Sequence, residues 1–457
     1  MSELSRRAFL KRLSYLTAAG VANPISINLM GMAEAAAQTA TDYKALVCVF
    51  FDGGNDHANT LIPIDGDNYN AYRKIRQDIA IDQSKVLPLI PTTSLSGGLK
   101  WGFHPQLGRL NSLFHLKKLA VLQNVGTLIQ PTSIDQFKSQ TVPLPGMLFS
   151  HATQKKVWQS TASNAFKEGW GGHIGDLILN QNSQAMFSCI STDNNALFLT
   201  GEKATPLNIE TNGIIPILPA KDNAALYGSQ KCARLLKELI TSTRYNVIEN
   251  HINSVTNRSM EAEQSMSHAL KQAGNFATRF PNNNSLANQL EVVAKLIKSH
   301  KHFGLKRQIF FVSLKGFDTH GNLLSKHGDQ MALVNHALAS FYEATEEMNM
   351  SQNVTTFTAS DFGRTFTSNG DGSDHGWGSH HIIMGGAVNG RNFYGNSPEI
   401  GLNTAEDVGQ GRMLPTTSID QYSATLAKWF GVPNSDLRLI SPNLYNFNDQ
   451  DLGFMRS

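Results

Sequence analysis

The run Ala45-Leu46-Val47-Cys48-Val49-Phe50-Phe51 constrains the fold more than any other segment of the chain. A continuous apolar run of this length, rich in Val and Phe, predicts a strand that is buried on both faces. The run ends in Asp52-Gly53-Gly54-Asn55-Asp56, an acidic turn with two glycines. Parallel α/β sheets present polar side chains in this way at their carboxyl edge. Cys48 is expected to act as a small buried apolar residue.

Four further apolar runs repeat this pattern. They predict strands at Leu119–Val125, Ile309–Leu314, Val354–Ser360 and His381–Gly386. Helical patterns precede the first three, at Pro105–Leu116, Asn284–His300 and Met331–Met350, and a loop with Asp374-His375 precedes the last. This alternation predicts an α/β fold with a largely parallel central sheet and helices on both faces.

The middle of the chain, about residues 175–280, has a different composition. Asn, Ser, Thr and Gln are frequent there, and the segment Gly228–Gln272 has the pattern of a long polar helix or helix pair. We interpret this region as a polar helical insertion or cap over one edge of the sheet. It would belong to a single domain that spans residues 38–457.

Candidate metal ligands follow several of the predicted strands. The set comprises Asp52, Asn55, Asp56, Asp318, His320, Asp361, Asp374 and His375, with His380 and His381 nearby. Carboxylate and imidazole together are the ligands of zinc and similar divalent cations, and the set is large enough for two ions. Each residue taken alone is equally consistent with a turn, a helix cap or a salt bridge. Their joint placement at one sheet edge favours a metal-binding cluster.

A nucleophile is suggested by Ser150-His151, which directly precede the helical segment Ala152–Ser160. A helix N-terminus favours the alkoxide form of a serine, and a nearby metal would favour it further. A simple N-cap explains Ser150 equally well, and Thr60 is a weaker candidate. The sequence lacks the HExxH zinc-protease motif, a phosphate loop and a dinucleotide fingerprint, which argues against a nucleotide cofactor.

The N-terminus has the order of elements found in export signals. Ser5-Arg6-Arg7-Ala8-Phe9-Leu10-Lys11 precede an apolar stretch, Leu13–Ala22, and then the small residues Ala35-Ala36-Ala37. We predict a twin-arginine signal over residues 1–37, read by the twin-arginine translocation machinery, and a folded protein that is periplasmic or secreted. The alternative is an amphipathic first helix with two surface arginines. The apolar stretch is too short for a permanent membrane span.

Composition excludes several other classes of protein. With 41% hydrophobic and 16% charged residues, the 457-residue chain is that of an ordinary globular protein. A formal net charge of +3 gives no indication of a nucleic-acid partner. Three widely separated cysteines form neither a disulfide framework nor a zinc ribbon.

Short motifs spread over the chain after residue 37 together resemble one bacterial family. These motifs are Phe51–Asp56 (FDGGND), Phe103-His104-Pro105, Ser150-His151, Gly316–His320 (GFDTH), Ser360–Thr365 (SDFGRT), Asp374–Gly376 (DHG), Leu414–Ser418 (LPTTS), Asp420–Tyr422 and Trp429–Gly431. With the twin-arginine start, they make the chain similar to the domain-of-unknown-function 1501 family. That family is grouped with the alkaline phosphatase and sulfatase superfamily, which implies an alkaline phosphatase-like α/β fold.

The resemblance also implies roles for individual residues. It suggests Asp52 as the first metal ligand, Asp318 and His320 as ligands of one ion, Asp361 as a ligand of another, His375 as a late ligand and Ser150 as the nucleophile. Two positions depart from the usual pattern. His57 stands where the first turn usually has glycine, and Phe362 stands where the superfamily has a histidine after the aspartate. The number of ions is therefore open.

The function expected from these features is a metal-dependent hydrolase of phosphate or sulfate esters, with zinc or another divalent cation as cofactor and a small ester as substrate. Arg364 is a candidate to steady an oxyanion, since its guanidinium fork matches phosphate or sulfate oxygens. A salt bridge to Asp361 is its structural alternative. A second hypothesis is a non-catalytic binding or assembly protein that retains a degenerate site.

Overall fold

A largely parallel sheet runs through the centre of the described part of the chain. The structure is a computed structural model that describes residues 42–161, 166–193, 197–211, 213–221 and 223–456. The predicted export signal over residues 1–37 lies outside these ranges. The strands are β1 (Lys44–Asp52), β2 (Leu61–Pro63), β3 (Leu87–Leu89), β4 (Trp101–Phe103), β5 (Leu119–Gly126), β6 (Cys189–Ser191), β7 (Leu207–Asn208), β8 (Arg307–Lys315), β9 (Val354–Ser360), β10 (Ser379–Gly385), β11 (Phe393–Tyr394) and β12 (Thr417–Ser418).

Helices occupy most of the segments between the strands. They are α1 (His57–Thr60), α2 (Gly66–Arg76), α3 (Gly108–His115), α4 (Ile134–Ser139), α5 (His151–Ser160), α6 (Trp170–Ile178), α7 (Gln230–Thr241), α8 (Val247–Ala273), α9 (Ser285–Lys298), α10 (Leu323–Glu347), α11 (Ile419–Phe430) and α12 (Leu437–Ile440). Among these helices, none is both long and apolar enough to cross a membrane.

The main sheet has the strand order β11-β5-β10-β9-β1-β8-β6-β7, and β12 also pairs with β5. β1 lies between β8 and β9 and is parallel to both. β10 is antiparallel to both of its neighbours, β5 and β9. The prediction of a largely parallel α/β sheet is therefore confirmed. β2, β4 and β3 form a separate antiparallel sheet.

Alternate residues of β1 enter two different cores, one on each face of the sheet. Val47 and Val49 pack with apolar residues of α3, α9 and α10. Leu46 and Cys48 pack on the other face with residues of α6 and α11. Because both faces are covered by helices, the strand is apolar throughout, as predicted. Cys48 is fully buried, which confirms its expected role as an apolar core residue.

Only part of the polar middle region, residues 175–280, lies outside the main sheet. β6 and β7 fall in that range, yet they belong to the main sheet. Strands of two or three residues carry too little periodicity to be read from the sequence. The helical part comprises α7 and α8, and α8 packs its second half on the core through Met266 and Ala269.

Candidate metal centre

The candidate site lies where three parallel strands end. β1, β8 and β9 deliver Asp52, Asp318 and Asp361 at or just past their carboxyl ends. β10 runs in the opposite direction, so the loop before it, with His375, lies at the same edge. His375 and Arg364 form an isolated antiparallel bridge that folds this loop back over the site.

Two glycines after β1 allow these segments to approach one another. Gly53 and Gly54 both have positive φ, 120° and 79°. A Cβ on Gly53 would lie 2.6 Å from the amide nitrogen of Asp318, and one on Gly54 would lie 2.5 Å from the ring of Phe362. The Gly53-Gly54 pair is therefore required by the close packing of the site as well as by the turn.

Three histidines and one aspartate point their ligand atoms at a common region. His151 Nε2, His375 Nε2 and Asp318 Oδ1 form a triangle with sides of 3.0, 3.4 and 3.4 Å. His320 Nε2 lies 2.9 Å from His375 Nε2 and 3.0 Å from the same Asp318 oxygen, which makes a second triangle on a shared edge. In a tetrahedral zinc site with bonds of 2.0–2.1 Å, ligand atoms are about 3.3 Å apart. The spacing fits a divalent cation.

The other ring nitrogen of each histidine is held by an oxygen acceptor. His151 Nδ1 lies 2.8 Å from Asp361 Oδ2, His320 Nδ1 lies 3.1 Å from Asp374 Oδ1, and His375 Nδ1 lies 2.8 Å from the carbonyl oxygen of Phe149. Carboxylate and carbonyl oxygens accept hydrogen bonds, so we assign the proton of each neutral ring to Nδ1. The Nε2 lone pairs of His151 and His320 then each face His375 Nε2 and the Asp318 carboxylate. Histidines that bind metals are oriented by such hydrogen bonds.

The surrounding charges act differently on two of these histidines. Partial burial lowers the pKa of His151, but the hydrogen bonds and charges of Asp361 and Asp318 outweigh burial and raise that pKa above its ordinary value. Burial lowers the pKa of His375, and the charges of His151 and Arg364 lower it further. A cation that takes the lone pair of His151 must therefore compete with a proton.

Arg364 holds Asp318 in position through a hydrogen bond. Its side chain is completely buried, and Nη1 donates to Asp318 Oδ1 at 2.9 Å and to the carbonyl oxygen of Gly53 at 3.1 Å. Its Nε and Nη2 atoms donate to Ser373. Burial raises the pKa of Asp318, but the bond and charge of Arg364 outweigh it and lower that pKa overall. Contact of Arg364 with a substrate oxyanion stays a prediction. The hydrogen bonds do not favour it, because they already engage the guanidinium group with Asp318, Gly53 and Ser373.

The remaining predicted acidic residues have other partners. Asp52 Oδ2 accepts a hydrogen bond from Lys155 Nζ at 2.9 Å. Asp361 uses one oxygen for His151 and the other, at 3.2 Å, for the amide of Gly53. Asp56 is buried and pairs with the buried Arg76. Of the predicted ligands, the structure brings together Asp318, His320 and His375, and it places Asp361 behind His151.

The candidate nucleophile Ser150 is the N-cap of α5, directly before His151. Its side chain makes no capping hydrogen bond to the described amides of the helix. The preceding residues Met147 and Phe149 have φ of 50° and 68°, an uncommon conformation for side chains of this size. Phe149 in this conformation directs its carbonyl oxygen to His375. Thr60, the weaker candidate, is buried and bonds to Asn55.

His151 is the functional candidate that the sequence interpretation missed. The motif Ser150-His151 draws attention to the serine, although the place of His151 at the start of the predicted helix is also a usable signal. The ring of Phe362 packs against both His151 and His375, with ring centroids 4.6 and 4.9 Å away. A histidine on α5 thus points into the site directly beside Phe362.

Other histidines considered from the sequence lie away from the cluster. His57 is buried and its Nδ1 accepts a hydrogen bond from the Arg364 amide, so it supports the segment that holds Asp318. Burial and nearby positive charge lower the pKa of His57 well below its ordinary value. His380 and His381 are buried in β10, where burial lowers the pKa of each to about 3.

The fold and the site define an α/β protein with a His/Asp group that fits a divalent cation. The profile of the family described as "Protein of unknown function (DUF1501)" matches residues 43–432, so the chain belongs to this family. No curated protein is similar in sequence.

Several solved structures are distantly similar. Ps i-CgsB has 11% identity and a TM-score of 0.35, covering 90% of this chain and 78% of that one. The PsFucS1 sulfatase from Pseudoalteromonas sp. has 10% identity and a TM-score of 0.29, covering 95% and 78%. A mutant of alkaline phosphatase PafA has 11% identity and a TM-score of 0.24, covering 71% and 64%.

Proposed function

We propose that this chain is an exported, metal-dependent hydrolase of phosphate or sulfate esters. The observation that supports this most is the orientation of His151, His320 and His375, which directs the Nε2 lone pairs of His151 and His320 each toward His375 Nε2 and Asp318. In their neutral state these imidazoles repel one another and the carboxylate. A divalent cation shared by His151, His375 and Asp318 would remove that repulsion.

The side chains of the site divide into ligands and supports. His151, His375 and Asp318, with His320 on the second triangle, would hold zinc or a similar cation, which would act as a Lewis acid toward an ester oxygen when bound. Asp361, Asp374 and the Phe149 carbonyl fix the histidine rings, and Arg364 fixes Asp318. Ser150 is the candidate nucleophile, since it starts α5 one residue before His151 and its hydroxyl is not used for capping.

The candidate metal site is partly exposed to solvent, so a substrate could reach it. Asp318, His320 and Asp374 are each about half exposed. Lys155, one helical turn after His151, carries a positive charge beside Asp52. A bound cation would attract an anionic ester, such as a phosphate or sulfate, more strongly than a neutral one.

Export through the twin-arginine pathway is part of the proposal. The pathway carries folded proteins, so the cation would be taken up in the cytoplasm, where the ligands first come together. The signal over residues 1–37 supports this location.

Two measurements on one preparation test the function. Metal content is measured by elemental analysis after purification without added metal. Hydrolysis of p-nitrophenyl phosphate and p-nitrophenyl sulfate is then followed after chelation and after return of zinc or other divalent cations. We expect about one or two ions per chain, activity restored by metal, and loss of activity in Asp318→Ala and Ser150→Ala but not in the surface control Asp82→Asn. Full activity of Asp318→Ala, or inactivity of the wild type with every metal, contradicts the proposal.

One observation favours a non-catalytic binding protein instead. Asp52 and Asp361, expected from the resemblance as ligands, are engaged by Lys155 and by His151 with Gly53. A site reduced in this way could bind a cation or an anionic partner without turning over an ester. Stoichiometric metal together with inactivity on both esters would support this second function.

A further inference from the structure

The hairpin formed by α7 and α8 carries apolar side chains that the described chain leaves uncovered. On α7 these are Leu235 and Leu239, which are 54% and 57% exposed. On α8 they are Ile248, Ile252 and Val255, which are 71%, 56% and 41% exposed. Spacings of four and three residues place the members of each set on one face of their helix, as in helices that pack against a partner.

The hairpin is held in a defined shape. Asn253, buried between the helices, donates through Nδ2 to the carbonyl oxygens of Leu239 at 3.0 Å and Ser242 at 2.7 Å. Arg244 Nη2 donates to the Leu239 carbonyl at 3.0 Å, and Asn246 caps α8. A docking surface that is fixed beforehand loses little conformational entropy on binding.

The two exposed leucines of α7 lie at equal distances on either side of residue 237. Together with the exposed Cys232 they follow one another with spacings of three and four residues, the pattern of a two-helix seam. A two-fold axis at residue 237 places Leu235 of one chain against Leu239 of a second. We propose that this hairpin packs antiparallel against the same hairpin of a second copy of this chain, and that Ile248, Ile252 and Val255 of α8 widen the contact.

The charges on one flank of α7 are complementary in the same arrangement. Lys231 and Arg234 lie in the first half of the helix and Glu238 in the second, at spacings that place all three on one flank. In an antiparallel pair the basic half of one helix faces the acidic half of the other. The two Glu238 side chains also approach each other, but each meets Arg234 and Lys231 of the second copy, so attraction exceeds repulsion.

Sedimentation of the purified chain over a range of concentrations tests the dimer. We expect a reversible dimer whose dissociation constant rises about 30-fold or more in Leu239→Lys, as for a central contact residue. Leu116→Lys replaces a comparably exposed leucine outside the hairpin and is expected to leave the dimer intact. The dimer does not depend on the proposed function, so this experiment can succeed even if the protein neither binds metal nor hydrolyses esters. A monomer at all concentrations, or an equal effect of both variants, overturns the proposal.

Charge reversal distinguishes a second copy from an anionic membrane surface. Glu238→Lys should weaken the dimer, and Glu238→Arg combined with Arg234→Glu should restore it, because the swap preserves complementarity. Binding to phosphatidylglycerol vesicles that is strengthened by Glu238→Lys, with no dimer in solution, would identify a lipid surface as the occupant and overturn the proposal.

A disulfide tests the antiparallel register. Of the three cysteines, Cys232 is the exposed one. In the proposed pair, two Cys232 residues are offset by ten residues along the helix, about 15 Å, which is too far for a disulfide. We therefore expect the wild type to form no covalent dimer on mild oxidation at concentrations where it is dimeric. A covalent dimer that is lost in Cys232→Ser contradicts this register.

Discussion

His151 and His375 face each other through Nε2 atoms 3.0 Å apart, while the Nδ1 atom of each is bound to an oxygen. The two rings come from positions that are 224 residues apart in sequence. A hydrogen bond between two Nε2 atoms would need an extra proton, whereas a shared cation needs none.

Asp361→Asn is expected to lower the affinity for a divalent cation by about 10–100-fold, the usual cost of losing a residue that orients a ligand. The carboxylate accepts one hydrogen bond from Gly53 and one from His151, and an amide has one oxygen to serve both. Competition with a metal-sensitive dye measures the affinity. Asp82→Asn, on an exposed turn, is the matched control, and equal affinities in the two variants would exclude this role for Asp361.

Addition of zinc should stabilise the folded protein. At a free concentration 100 times the dissociation constant, the free energy of unfolding is expected to rise by about 2.7 kcal/mol. Unfolding in urea with and without zinc measures the difference. His375→Ala should abolish the gain, since its Nε2 belongs to both ligand triangles. The same gain in this variant would place the bound zinc elsewhere.

Asp56→Ala should destabilise the protein by about 3–5 kcal/mol, because it leaves the completely buried guanidinium of Arg76 without its carboxylate. Denaturant unfolding measures the change. Asp82→Ala removes an exposed carboxylate and is expected to have a much smaller effect. A small loss in Asp56→Ala would mean that water or another group neutralises Arg76.

Asp420 is expected to make stability depend on pH. Burial raises the pKa of this carboxyl group from 3.8 to about 6 in the folded protein. Below pH 4 it is protonated in both states, and between pH 4 and 6 the unfolded chain alone loses its proton. The wild type therefore loses up to about 3 kcal/mol of stability as the pH rises through this window.

The neutral variant Asp420→Asn lacks this loss. Its stability relative to the wild type should increase from pH 4 to pH 7, whatever the constant cost of the substitution. Chemical unfolding at a series of pH values measures the difference, and parallel curves for the two proteins would disprove the shift.

Replacement of Arg6 and Arg7 by lysine is expected to keep the protein in the cytoplasm, because the twin-arginine machinery reads that pair. Fractionation of producing cells, followed by immunoblotting, measures the location. An unchanged distribution would show that residues 1–37 are not read as this signal.

The strands that carry the site could be predicted from the sequence, because long apolar strands are easily recognised. Each of the five predicted strands is present in the structure. The sequence was insufficient for the direction of β10, since an apolar run carries no sign of whether it pairs parallel or antiparallel. That direction brings His375 to the same edge as Asp318.

Long-range pairings were also out of reach from the sequence. The sequence indicates His151 only as the neighbour of Ser150, because its contacts with Asp361 and His375 lie 210 and 224 residues away. It predicts Asp52 as a metal ligand, because its partner Lys155 lies 103 residues further along the chain. Local spacing identifies the residue types of a site, but not which of them become neighbours.

The distance in sequence between His151 and His375 has a mechanical consequence. An ion held by both would close a loop of 224 residues, and chain-entropy estimates for a cross-link of that size are about 5 kcal/mol. The two histidines come together only in the folded chain, so an ion can be shared by them only after folding. Removal of such an ion would therefore shorten the lifetime of the folded protein as well as end the chemistry that depends on the ion.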